Sequence, residues 1–270
     1  MARNFGTGIK RLLNGLFVLA LLAPALAFAL PTYLRSTAGA PWSVTTNESA
    51  MDTVFGAGNW TDARYETVNV GTLFSAATSF IFMEGGDDNA DELNTFLTAN
   101  STAIASWVSA GGRLFVNAAP NEGGNISFGF GVTLNYDGST SESDSAAAVN
   151  AADPIFVGPF TPVGTSFTGT SFSHAFVTGP LTAVIRDGSS RTVFGTMTSG
   201  AGFVGFGGMT TDNFHSPQPQ AHNLRENIIA FVAGGGGVGV TAVPALQTGS
   251  LVALAALLGM LAMFMSRRRR

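Results

Sequence analysis

Three polar clusters, each directly after an apolar run, hold the side chains of this sequence best suited to moving protons or binding cations. Glu84-Gly85-Gly86-Asp87-Asp88 follows Ser79–Met83, Asn117, Asn121 and Glu122 follow Arg113–Val116, and Thr210, Thr211, Asp212, Asn213 and His215 follow Gly202–Gly207. Carboxylates at 84, 87 and 88 offer hard oxygen ligands for calcium, or two differently tuned acids for general acid–base work. Their spacing is not that of an EF-hand loop, and the competing reading has Asp87 and Asp88 capping a following helix with Glu84 in solvent. His215 with Asp212 offers a proton-transfer pair, or with His222 a metal site, although the spacing is not HExxH and a structural histidine is the alternative. Ser171 and Ser173 stand beside His174 without the GxSxG elbow that exposes a hydrolase nucleophile. The glycines of Gly200–Gly208 alternate with Phe and Val and no Lys follows, which reads as a packed strand and not a phosphate loop. The catalytic candidates are therefore Glu84, Asp87 and His215, and no cofactor or metal is implied.

Ligands of open α/β sheets bind beyond the carboxyl ends of strands, so these clusters matter if the runs before them are neighbouring strands. Ser79–Met83 has strand length. Leu93, Phe96, Leu97, Ile104, Trp107 and Val108 recur at three and four, predicting a helix over Asp88–Ala110 with an interruption near Asn100-Ser101. Gly111-Gly112 stops that helix, and Arg113–Asn117 is a second buried strand, so the unit predicts a parallel pair. Thr182–Arg186, Thr192–Thr198 and Gly202–Gly207 add strands, the first two joined by a turn at Asp187-Gly188. A closing helix spans Gln220–Ala233, its apolar face formed by Leu224, Ile228, Ile229, Phe231 and Val232. The fold class is α/β: a mostly parallel sheet flanked by helices, flavodoxin-like or amidotransferase-like, with an antiparallel portion. An all-β sandwich is the alternative, because Gly, Thr and Phe are abundant and Ile126–Phe176 shows little helical period.

Charge is segregated along the 270 residues. Arg3, Lys10 and Arg11 precede the first apolar run and Arg267, Arg268, Arg269 and Arg270 follow the last. The body between holds six arginines against seventeen carboxylates, a formal charge of −11, and no lysine. With no basic patch to displace counterions from phosphates, nucleic acid is not an expected partner. Cysteine is absent, which excludes disulfides, thiolate metal sites and a cysteine nucleophile.

The ends read as targeting segments. A basic start, an apolar stretch over Leu16–Leu30 broken by Pro24, and small residues at 25, 27 and 29 have signal-peptide layout, so 1–29 is expected to be removed by signal peptidase. Residues 30–233 are then an extracytoplasmic domain and the glycine-rich 234–242 a linker. Leu251–Met265 is uninterrupted apolar sequence, and the four arginines after it fit a cytoplasmic flank under the positive-inside rule. Val243-Pro244-Ala245-Leu246, one apolar helix and a terminal arginine cluster resemble the IPTL-CTERM class of sorting signals, relatives of PEP-CTERM. Ala245 stands where the family has Thr. The resemblance implies export, with the domain anchored to the inner membrane on the periplasmic side or sorted to the cell surface. It also implies a membrane sorting protease as partner.

The order of strand, acidic loop, helix, GGRLFVN strand, Asp153-Pro154-Ile155, and a late GFVGFGG strand before the closing helix resembles the class I glutamine amidotransferase-like superfamily, including ThuA-like proteins. There a cysteine nucleophile sits on the turn after a central strand. The comparable turn here is Asn117-Ala118-Ala119-Pro120, so glutaminase chemistry is not available by that route. These observations imply an envelope or surface protein with a non-catalytic ligand-binding or structural domain. The alternative is an exported hydrolase acting on carbohydrate or peptide.

Overall fold

The computed structural model describes residues 29–234 and 236. The expected signal peptide up to 28, the remainder of the expected linker, and the expected sorting segment with Val243 to Leu246 and Arg267 to Arg270 lie outside the described residues. Among the described residues no helix is long and apolar enough to cross a membrane. In chain order the elements are β1 (Leu30–Arg35), α1 (Thr46–Phe55), β2 (Thr61–Arg64), the short α2 (Val70–Leu73), β3 (Thr78–Glu84), α3 (Ala90–Ser109), β4 (Arg113–Asn117), β5 (Ile126–Gly129), β6 (Val132–Asn135), β7 (Ser143–Ala148), β8 (Ser166–Ser173), β9 (Phe176–Thr178), β10 (Thr182–Asp187), β11 (Thr192–Ser199), β12 (Gly202–Gly207), β13 (His215–Ser216) and α4 (Gln220–Ala233).

Ten strands form one sheet in the order β13-β8-β7-β10-β11-β12-β4-β3-β1-β2. From β2 to β12 neighbours are parallel, and from β12 to β13 they are antiparallel. The protein is thus an α/β domain, with an antiparallel portion as wide as the parallel one. Helices on both faces explain why the central strands read as continuous apolar runs. Along β4 the side chains alternate: Leu114 and Val116 join Leu93, Trp107 and Val108 of α3, while Phe115 joins Leu224, Ile228 and Ile229 of α4. Each of those fully buried aliphatic side chains contributes about 1.5–3 kcal/mol. The α1 helix packs beside α4 on that second face.

Two departures from the sequence expectations have simple causes. The α3 helix runs without interruption, because Asn100 Nδ2 donates to Phe96 O at 2.9 Å and so satisfies itself inside the helix. The region read as lacking helix is not a sandwich; β5, β6 and β9 form a separate three-stranded antiparallel sheet whose Ile126, Phe128, Leu134 and Val177 pack on the α3 side.

Candidate functional site

Parallel pairing in register brings Glu84, Asn117 and Gly207, the last residues of β3, β4 and β12, side by side at one edge of the sheet. Asn117 ties the edge together. Its Nδ2 donates to Met209 O at 2.9 Å and its Oδ1 accepts from Met209 N–H at 3.2 Å, fixing the turn after β12. A side chain at 207 would collide with that amide, its Cβ 2.6 Å from Asn117 Oδ1, so the strand must end in glycine.

Glu84 is only 1% exposed, not in solvent as one sequence reading had it. Its Oε1 accepts from Gly86 N–H at 2.6 Å, its Oε2 accepts from Asn47 Nδ2 of α1 at 2.9 Å, and Asn117 Nδ2 lies 3.4 Å from both oxygens. Asn47 also donates to the Tyr33 hydroxyl at 3.2 Å, and the Tyr65 hydroxyl donates to Glu84 O at 2.9 Å. Burial pushes the Glu84 carboxyl up to about 7, against the opposing pull of Arg225 and the three N–H donors. Arg225 projects from α4 beneath this edge. It donates to Thr210 O, its guanidinium lies 6.0 Å from the centroid of the Phe115 ring, and its NH1 nitrogen has no partner.

The expected pairing of His215 with Asp212 does not form. Asp212 Oδ2 meets His222 Nδ1 at 2.8 Å, and His222 Nε2 meets Glu226 Oε1 at 3.0 Å. The hydrogen bonds to Asp212 and Glu226 push His222 up to about 10. Burial opposes ionisation of Asp212, but His222 and Arg225 outweigh it and hold that carboxyl below its ordinary value. His215 stacks on Phe172 at 4.1 Å and meets Thr210 Oγ1 through Nε2 at 2.8 Å. Burial, then Arg225, presses it down to about 3, which leaves it neutral at every ordinary pH.

Above this buried layer lies a rim. Asp87 neither caps α3 nor faces Glu84: its Oδ2 accepts from Trp42 N–H at 3.0 Å and its Oδ1 from Asn121 Nδ2 at 2.9 Å. Glu122 caps the helix instead, accepting from the N–H groups of Ala90 and Asp91 at 3.1 and 3.3 Å. Asp88 and Asn213 point to solvent. Trp42 packs edge-on against His174 at 4.7 Å and Phe214 at 5.7 Å between centroids. Trp42, Ser43 and Asp87 all hold left-handed backbone, with φ of 58, 56 and 55°. Such conformations cost about 1–3 kcal/mol each and gather where a surrounding structure enforces them for a purpose. Gly86 lies against this group: a Cβ there would stand 2.9 Å from Glu84 Oε1 and 3.4 Å from Trp42 Nε1.

Among the described residues no serine hydroxyl is hydrogen-bonded to a histidine. His174 Nδ1 is bonded to Pro120 O at 2.9 Å, Ser171 Oγ to Glu142 at 2.9 Å, and Ser173 Oγ is buried without a partner. Among the described residues no three His, Asp or Glu side chains are grouped to hold a metal. Sequence reasoning missed Trp42, Asn47 and Arg225. Only Arg225 left a trace, a charge beside Leu224 on the apolar face of the closing helix. A groove of about 670 Å³ lies at the opposite sheet edge, lined by Ala29, Phe74, Thr78, Trp107 and Gly112 and by none of these candidate residues.

No family model matches the chain, and no curated protein does. Among solved structures it is similar to a β-galactosidase from Rahnella sp. R3, at 12% identity and a TM-score of 0.46 over 83% of this chain and 33% of that one. It is similar to an exo-β-1,4-mannosidase from Opitutaceae bacterium strain TAV5, at 14% and 0.40 over 81% of this chain and 37% of that one. A cytoplasmic protein from Salmonella typhimurium matches at 16% and 0.45 over 75% of this chain and 98% of that one. The chain spans about a third of the length of the two glycosidases.

Proposed function

We propose that the chain is an exported envelope protein, freed by signal peptidase and anchored or sorted through Val243 to Leu246, the apolar Leu251–Met265 and the terminal arginines. Its α/β domain, of amidotransferase-like kind, binds an uncharged polar ligand of glycan chemistry at the Trp42–Asp87–Asn121 rim without turning it over. The observation carrying this reading is that Glu84, Asp212 and His215 are each no more than 3% exposed and are held by protein groups through both Glu84 oxygens, Asp212 Oδ2 and His215 Nε2. Reactive groups so enclosed hold a rim in place but do not reach a substrate. The rim offers a half-buried indole, a carboxylate and an amide, and the described residues include no lysine to attract an anion. Calorimetry with neutral envelope oligosaccharides tests it: Trp42→Ala and Asn121→Ala should each abolish binding while leaving the melting temperature of the rest of the domain in place. Unchanged binding in both variants refutes the rim.

A second reading, hydrolysis of a carbohydrate, is favoured by one observation: Glu84, raised to about 7, has the proton affinity of a general acid working near neutrality. Release of aryl alcohol from aryl glycosides, lost in Glu84→Gln with the fold retained, would establish it and displace the first reading.

A further inference from the structure

Six buried polar atoms without a hydrogen-bond partner lie around Glu84, one layer below the rim: Trp42 Nε1, Thr46 Oγ1, Asn47 Oδ1, Thr211 Oγ1, Asp212 Oδ1 and Arg225 NH1. Asn47, Thr211, Asp212 and Arg225 are each no more than 3% exposed. Native interiors leave few such atoms, because each one buried without a partner costs about 1–3 kcal/mol. Here they come from four segments and border a common region. Trp42 Nε1 and Glu84 Oε1 approach the same point, the position of a Cβ on Gly86, to 3.4 and 2.9 Å. Asn47 holds Glu84 Oε2 through its Nδ2, which leaves Oδ1 of the same amide beside that carboxyl. Thr46 Oγ1 comes near enough to Asp212 to help lower its carboxyl, yet falls short of hydrogen-bond geometry. Arg225 acts on Asp212 and on Glu84 alike.

The set is mixed in character. Trp42 Nε1 and Arg225 NH1 only donate, Asp212 Oδ1 and Asn47 Oδ1 only accept, and the two threonine hydroxyls do either. Charge is close to balanced, with Arg225 and His222 standing against Asp212, Glu226 and a Glu84 that ionises only near 7, so neither an anion nor a cation is favoured. A neutral molecule carrying several hydroxyls, each able to donate and to accept, matches such a set. The way in lies under Pro41–Ser43. This turn crosses Gly86, with Pro41 Cβ 3.5 Å from the same Gly86 position, and is fastened by Trp42 N–H to Asp87 Oδ2 at 3.0 Å. The left-handed backbone of Trp42 and Ser43 stores strain that is released when the turn lifts.

We propose that the terminal sugar of the ligand enters beneath the Trp42 indole and meets these unpartnered atoms, with Pro41–Ser43 as its cover. The inference rests on the glycan reading of the rim and deepens it from contact with a surface to recognition of a chain end. A sugar from the interior of a chain needs two openings, whereas the sheet edge, α1, the 208–219 connection and α4 close the region on its other sides. Both Glu84 oxygens are already held, so occupancy brings no chemistry to that carboxyl.

Thr46→Val and Thr211→Val, made singly in the full chain, each remove one hydroxyl and keep the branched shape. A hydroxyl without a partner is not missed in the free protein, so both variants should melt within about 2 °C of the parent, or above it. Parent and variants are then applied to an array of neutral oligosaccharides immobilised through their reducing ends. Glycans that bind the parent should bind each variant about tenfold more weakly, and should lose binding to the parent when a further sugar caps their free end. Either variant melting several degrees below the parent means that ordered water already serves the hydroxyl, and overturns the inference. Binding that Trp42→Ala abolishes but both threonine variants retain, or equal binding of capped and uncapped glycans, overturns it too and leaves the rim reading standing. A parent chain that binds nothing on the array overturns both.

Discussion

Exchanging Glu84 for glutamine should abolish a pH dependence of stability that the wild-type chain displays between about pH 4.5 and 8. The carboxyl is raised from 4.5 to about 7 on folding. At about 1.4 kcal/mol per pH unit, that difference is worth about 3 kcal/mol. Because the folded value is the higher one, the stabilisation is complete below about pH 4.5 and disappears as pH rises through about 7. The variant cannot ionise, yet it can fold. Asn47 Oδ1 is buried without a partner, so turning that amide over lets it accept from the new Gln Nε2 while the Tyr33 hydroxyl donates to it. With a urea slope of about 2 kcal/mol/M for a domain of this size, the wild-type midpoint should fall by about 1.5 M relative to the variant across the range. Taking the difference at each pH cancels Asp212 and His222, which titrate in both proteins. A difference that stays constant from pH 4.5 to 8 would refute the reasoning. It would mean that Arg225 and the N–H donors outweigh burial and hold Glu84 ionised throughout.

Arg225→Met should destabilise by about 3–5 kcal/mol above pH 7, measured by urea unfolding, since it removes the cation facing a buried, ionised Glu84 and leaves Asp212 with His222 alone. The loss should shrink at pH 5, where Glu84 is neutral. Histidine NMR should be simple with three residues: His222 should stay protonated at pH 8, held by Asp212 and Glu226, and His215 should stay neutral at pH 5. Stability from His222 is present below its unfolded value near 6.5 and is lost as pH climbs through about 10, so His222→Ala should cost least at alkaline pH. Gly202→Ala should cost about 3 kcal/mol in melting experiments, because its Cβ would overlap the carbonyl of Val108. Gly124→Ala, with nothing within 4 Å, should stay within about 0.5 kcal/mol of the parent.

The parallel core was legible in the sequence because its signals are local. Leu93 to Val108 recur at helical spacing, Gly111-Gly112 stops the helix, and the GGRLFVN run is too apolar to be anything but buried. The same holds for the closing helix, which matches its expected bounds at Gln220 and Ala233. The strand β1 escaped notice because Leu30–Arg35 is covered on both faces and so lacks alternation, and because it follows directly on the apolar Leu16–Leu30. The candidate residues were found by position after strands, but not their partners. Whether Asp212 meets His215 or His222 depends on how the 208–219 connection enters α4, and Glu122 capping α3 depends on a contact across thirty-two residues. Such pairings are tertiary facts. Nothing in the spacing of the residues themselves encodes them.

The strand β12 joins both halves of the sheet, lying parallel to β4 and antiparallel to β11. Its partner Arg113 is ninety residues upstream of Phe203. A chain emerging from the ribosome therefore cannot complete its central pairing until nearly the whole domain has been made, and non-local pairings of this kind form slowly. Delayed closure of that seam leaves the edge of β4 without its second partner until Gly202–Gly207 has been made, an open strand edge to which another chain can add.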